Sequence, residues 1–306
     1  MKEYIKRSAN NIIKKTHWYN EVLFKDCRKF WDLKDEQFDV VNLGSGSGTY
    51  DFCYDDCGLK GANWAVAPQS TLGDFIILKQ YRRYIKDGGI VIYPLCPFTA
   101  ISGAVPYLPP RCFSFIDYKT FPGGHYITSY NIQSERNNPL VFYPLFELFR
   151  DIIWYFRGSK DIVRSEKYLV KDAVNKINGW KDQFNISSLD ERFIGRFDDV
   201  YQATIKMMSE IIDYCDKEGL KLVFTIPPVY HSLAELLTPA AREQLLDSFM
   251  DKANRDRVLY YNLLDDEEFI NDKSLFRDSY YLNKKGAKKF TNIILNRIKA
   301  GYNYES

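Results

Sequence analysis

The sequence predicts an α/β protein: a three-layer α/β/α sandwich around one five-stranded parallel sheet, of the doubly wound, flavodoxin-like type, with an inserted aromatic-rich subdomain. Three observations predict it. Short apolar runs of β-branched and aromatic residues alternate with stretches whose apolar positions recur at helical spacing, the pattern of strands joined by crossover helices. The first such run, Phe38-Asp39-Val40-Val41-Asn42-Leu43, ends in Gly44-Ser45-Gly46-Ser47-Gly48, a strand end opening into a tight turn. Between residues 98 and 196 the alternation lapses into a segment rich in Pro, Gly and aromatic residues, too long for a structureless loop in a compact domain.

In chain order, residues 1–37 read as a leading amphipathic helix, with Ile12, Ile13, Trp18, Val22, Leu23 and Phe30 at helical spacing. Strand one covers 38–43, and a short second strand, 62–67, is closed by Pro68. Residues 70–86 read as a helix with Leu72, Phe75, Ile76, Leu78, Tyr81 and Ile85 on one face, ended by the glycines of Asp87-Gly88-Gly89. Ile90 to Tyr93 is a buried strand stopped by Pro94. Within the insertion, residues 140–156 are densely apolar; they read as packing of the insertion onto the core, with a membrane-surface or partner helix as the sharper alternative. Regular alternation resumes with a helix over 197–217 and a strand over 220–226, closed by Pro227-Pro228. A helical stretch over 232–254, broken near Pro239, leads to a strand over 258–261. The last helix runs over 283–299 behind Asn283, its expected N-cap. The α/β core therefore comprises 38–97 and 197–306.

Composition bounds the function. The formal charge of +2 gives no global bias toward nucleic acid or an anionic surface. Among six cysteines only Cys53 and Cys57 are close, and no His completes a zinc set, so free thiols and no metal are expected. The acidic run Asp265-Asp266-Glu267-Glu268 reads as a solvated helix start. The first residues lack a signal-peptide apolar region, and no run is long and apolar enough to span a bilayer, so a cytoplasmic protein without a transmembrane segment is expected. No cofactor is expected: Gly44-x-Gly46-x-Gly48 lacks the third glycine of a dinucleotide fingerprint, Thr49 standing in its place.

Two blocks together resemble the SGNH (GDSL-type) hydrolase superfamily, in particular members linked with bacterial surface polysaccharide acylation. They are Asn42-Leu43-Gly44-Ser45-Gly46-Ser47-Gly48 and Asp278-Ser279-Tyr280-Tyr281-Leu282-Asn283-Lys284-Lys285-Gly286. The resemblance spans the α/β core and not the insertion. It implies an esterase or O-acyltransferase acting on acylated sugars or surface polysaccharide precursors, with a carbohydrate or other small molecule as ligand. It also implies that the first block supplies a serine nucleophile and the second an acid and a histidine. Here the nucleophile position falls on Gly46 and the histidine position on Tyr281, while Asp278 is kept. Gly61-Ala62-Asn63 and Pro68-Gln69-Ser70 are similar to the stretch that lines the oxyanion hole in the family.

Ester chemistry needs a hydroxyl activated by an imidazole, a carboxylate orienting that imidazole, and N–H donors aimed at the developing oxyanion. The candidate catalytic groups are Ser47, one position past the expected nucleophile, Asp278, Tyr281, and His231 at the end of the fourth strand. His125, in the insertion, is the other imidazole considered. Ser45, Gly46, Asn63 and Gln69 are the candidate oxyanion or ligand-binding groups. Each has a plainer reading: the serines as turn hydroxyls, the histidines as loop residues, and Asp278 as loop and capping chemistry. The alternative function is therefore a non-catalytic glycan- or partner-binding protein of the same fold.

Overall fold

The computed structural model describes residues 2–123, 125–157, 163–192, 194–254 and 258–304. The chain divides into two compact units, Met1–Glu36 with Leu108–Lys160, and Gln37–Tyr107 with Asp161–Ser306.

The larger unit is an α/β fold on one sheet. Five strands, β1 (Phe38–Asn42), β2 (Gly61–Asn63), β3 (Ile85–Pro94), β4 (Lys221–Ile226) and β5 (Leu259–Asn262), lie in the order β2-β1-β3-β4-β5. Every neighbouring pair is parallel. The expected strands all form, β2 shorter than predicted because it pairs at one edge over three residues only. Helices cover both faces, as a parallel sheet requires. On one face Val40, Ile92 and Val223 pack with Phe290, Ile294 and Ile298 of helix Lys284–Tyr304. On the other, the Tyr93 hydroxyl meets Thr71 and Asp74 of helix Thr71–Tyr81.

The helix expected over 70–86 ends earlier. Ser70 caps its start, accepting from the Gly73 N–H, and a 3₁₀ turn, Arg82–Tyr84, closes it. The chain then enters β3 at Ile85, and the glycines expected as a helix cap lie inside the strand. Gly88, at φ +70°, donates to the Gly219 carbonyl at 3.1 Å, and the β1–β3 register shifts between Phe38 and Val40. The glycines form a bulge in a strand, since only a residue free of Cβ holds that φ cheaply. Asn283 does cap the last helix, accepting from the Gly286 N–H at 3.1 Å.

Helix Glu166–Phe184 falls within the expected 98–196 insertion but belongs to the α/β unit, as do residues 98–107. Its buried face of Leu169, Ala173 and Ile177 explains why: the first of these joins the core around Val40 and Phe290. The smaller unit joins the N-terminal segment to residues 108–160. The single leading helix expected there is broken into Lys2–Ile13, Trp18–Leu23 and Arg28–Trp31. Its interior is aromatic, with Phe30 stacked on Phe115 at 4.1 Å and Cys27 and Cys112 fully buried. No helix among the described residues is long and apolar enough to cross a membrane, and none of their side chains group as a metal site.

Candidate functional site

β1 has β2 on one side and β3 on the other, so the connections leave it in opposite directions. The crevice at such a switch point, beyond the carboxyl ends of the strands, is where ligands bind in open α/β sheets. A cleft of about 190 Å³ lies there. Gly44 to Ser47 form its floor beyond β1, and Tyr93, Pro94 and Cys96 form a wall at the end of β3. Trp180 and Phe184, from helix Glu166–Phe184, and Tyr280 and Tyr281 complete it.

The floor is shaped by close approaches. Gly44 adopts φ +103° with Pro94 against it, and a Cβ on Gly48 would fall 2.2 Å from the Leu43 carbonyl oxygen. Asn42 and Asn63 hold the turn from below: both side-chain amides donate to the Gly48 carbonyl, at 3.0 and 2.8 Å. The Asn63 carbonyl in turn accepts from the Ala65 N–H. Asn63 is therefore committed to the turn and does not line the cleft.

Of the predicted groups, the fold brings Ser45, Gly46, Ser47, Gln69 and Tyr281 to the cleft. Ser47 is buried, and its Oγ faces the Tyr280 hydroxyl at 3.3 Å. Ser45 Oγ accepts from the Gln69 N–H at 3.2 Å. Tyr281 projects over Gly46: a Cβ on that glycine would lie 2.1 Å from the tyrosine hydroxyl. Burial, with the nearby Asp51 carboxyl, raises the Tyr281 phenol above its usual range, so it holds its proton at neutral pH.

Asp278 and His231 do not line the cleft. One Asp278 oxygen accepts from the N–H groups of Tyr280 and Tyr281, both at 2.9 Å, and pairs with Lys176 at 3.5 Å. That is a turn-shaping carboxylate. His231 Nε2 meets Glu166 at 3.1 Å and Nδ1 lies 3.6 Å from Glu235. His125 and His17 belong to the smaller unit, where His125 meets the Pro122 carbonyl and His17 stacks on Trp154. Among the described residues, no imidazole, lysine or arginine lines the cleft.

The sequence reading missed Asp74. It lies in the cleft wall, 2% exposed. It accepts from the Gly44 N–H at 2.8 Å, from the Tyr93 hydroxyl at 3.0 Å, and from the Gln69 side-chain amide. Burial drives its pKa up to about 7, against which these three donors act. A signal was present: Asp74 is the only charge in Thr71-Leu72-Gly73-Asp74-Phe75-Ile76-Ile77-Leu78, a stretch buried almost throughout. Helix Glu166–Phe184 was missed too. Its Asp172 accepts from both the N–H and the hydroxyl of buried Ser279, at 2.9 and 2.6 Å, and its Trp180 meets Tyr280 edge-on at 5.4 Å.

Chemically, the cleft offers hydroxyls, the amides of Gln69 and Gln183, the Cys96 thiol and one carboxyl beside aromatic walls. Among the described residues, no lining hydroxyl has an imidazole beside it in the cleft. No protein-family model matches the chain, and no curated protein matches it.

Proposed function

We propose that this chain is a ligand-binding protein of SGNH-hydrolase-like architecture, with the three-layer α/β/α arrangement of that superfamily. In this reading the cleft beyond β1 and β3 holds a small neutral hydroxylated molecule, an acylated sugar being the class the resemblance implies, and does not transfer its acyl group. One observation carries this. The Tyr281 hydroxyl stands where a side chain on Gly46 would project, so the place of a nucleophile is filled by a protonated phenol.

The lining supports the ligand class. Trp180 and Phe184 bring aromatic rings to the lining, and Ser45, Gln69 and Asp74 bring polar groups, the mixture that fits a sugar ring. The absence of cations among the described lining residues disfavours a phosphorylated or otherwise anionic ligand.

The test combines calorimetry with an O-acetylated hexosamine and a serine-directed fluorophosphonate. The expected result is saturable binding, at least tenfold weaker in Trp180→Ala, with no covalent adduct and no acetate release above the blank. Acetate release or an adduct that disappears in Ser47→Ala would overturn the reading in favour of an esterase.

A further inference from the structure

Helix Glu147–Arg157 of the smaller unit is turned inside out. Its carboxylates face inward: Glu147 is 5% exposed and Asp151 is 9% exposed. Asp151 is anchored there, one oxygen accepting from the Trp18 N–H at 2.8 Å and the other from the Tyr143 hydroxyl at 2.7 Å. Its apolar residues face outward instead. Phe149 is 72% and Phe156 81% exposed, and Leu148, Ile152, Ile153 and Tyr155 are exposed beside them. Water disfavours this orientation at every one of those side chains.

The face continues beyond the helix. Leu145 and Phe146 precede it, exposed, and helix Pro139–Phe142 shows Val141 and Phe142. Helix Lys2–Ile13 is joined to this turn by the Leu140 N–H, which donates to Asn10 at 2.9 Å. That helix exposes Tyr4, Ile5 and Ile12 together with Lys6 and Arg7. The charge is lopsided as well. Residues 1–36 and 108–160 hold fifteen Lys and Arg against ten Asp and Glu, in a chain whose totals are 42 and 40. The rest of the chain is therefore net acidic, and the surplus of cations is confined to the unit that carries the apolar face.

We propose that this face of the smaller unit docks onto an anionic lipid bilayer, lying in the interface without crossing it. An exposed aromatic and aliphatic face on a cationic unit, with Lys6 and Arg7 exposed on the helix joined to it, is what an interfacial segment presents to headgroups and acyl chains. Segment length agrees: the helix has eleven residues, too few to span a bilayer. A protein groove or a second copy of the chain would account for the apolar face but not for the cationic surplus of the unit that carries it.

The test is co-sedimentation of the full chain with phosphatidylcholine vesicles containing 30% phosphatidylglycerol, beside vesicles of phosphatidylcholine alone. The expected result is binding to the anionic vesicles, weakened at least tenfold at 0.5 M salt or in Lys6→Glu/Arg7→Glu. Phe149→Glu/Ile153→Glu should abolish it. All four positions are exposed, so near-ultraviolet circular dichroism should show both variants folded. The proposal is overturned if neither vesicle binds, or if the variants bind like the parent. It is likewise overturned if the vesicles stay unbound while sedimentation velocity shows a dimer that Phe149→Glu/Ile153→Glu dissociates, the occupant then being a second copy.

Discussion

The hydroxyl of Tyr281 and the α-carbon of Gly46 divide one volume between them: a Cβ on Gly46 would fall 2.1 Å from that oxygen and 2.7 Å from the ring carbon bearing it. The ring is not free to swing aside, being packed between Tyr50 at 5.0 Å and Tyr280 at 4.7 Å. A side chain at position 46 and a tyrosine at 281 therefore exclude each other. Gly46→Ala should destabilise the protein by about 1–3 kcal/mol, as overpacking does. Tyr281→Ala should relieve most of that, so a double-mutant cycle in urea should give a coupling of at least about 1 kcal/mol. Additive effects would show that the two positions do not compete.

Asp74 makes stability depend on pH in an unusual direction for a carboxylate. Its pKa is raised in the native state to about 7, above the ordinary value near 3.8. Between those values the folded protein keeps a proton that the unfolded chain releases, so stability falls as pH rises from about 4 to about 7 and then levels. Between pH 5 and 7.5 this group should remove on the order of 2–3 kcal/mol. Denaturant unfolding of the parent and of Asp74→Asn across that window should show a smaller decline in the variant. Equal slopes would mean that the buried carboxyl is ionised throughout.

Asp278 separates a catalytic from a structural role. If it only gathers the N–H groups of Tyr280 and Tyr281, an acceptor of the same shape suffices. Asp278→Asn should cost less than about 1 kcal/mol, mainly the partly exposed pair with Lys176. Asp278→Ala leaves the amide of buried Tyr280 without its acceptor and should cost about 1–3 kcal/mol. Equal losses in thermal unfolding would contradict this.

The sheet was legible because its strands carry their own signals: β-branched runs closed by Gly or Pro at Gly44, Pro94 and Pro227. The position of the cleft was legible for the same reason, since Gly44 to Ser47 could only follow a strand. What failed was anything set by distant contacts. Helix Glu166–Phe184 reads as polar and amphipathic, and nothing local tells that Asp172 and Lys176 reach the loop at 278–281. Asn63 follows from the resemblance and His231 from its place after the fourth strand, but hydrogen bonds to Gly48 and Glu166 orient them elsewhere. The two-unit division was hidden because residues 1–36 and 108–160 are far apart in sequence and share an aromatic interior with no periodic signature.

Asp172 shows how a helix so distant in sequence shapes the cleft. Its carboxylate accepts both polar hydrogens of Ser279, a residue with no exposed surface, and the loop that follows carries Tyr280 and Tyr281 into the cleft. Asp172→Ala would leave a buried N–H and a buried hydroxyl unmatched, which should cost about 1–3 kcal/mol. The loss should be felt locally first, because the loop's own contacts, such as the Leu282 N–H donating to buried Asp51 at 2.8 Å, remain. Amide hydrogen exchange should therefore quicken at 279–281 well before the β1 and β4 amides respond. Asp172→Asn keeps one acceptor oxygen and should fall between the two. Uniform acceleration across β1, β4 and the loop would mean instead that the helix stabilises the whole unit and has no separate hold on the cleft.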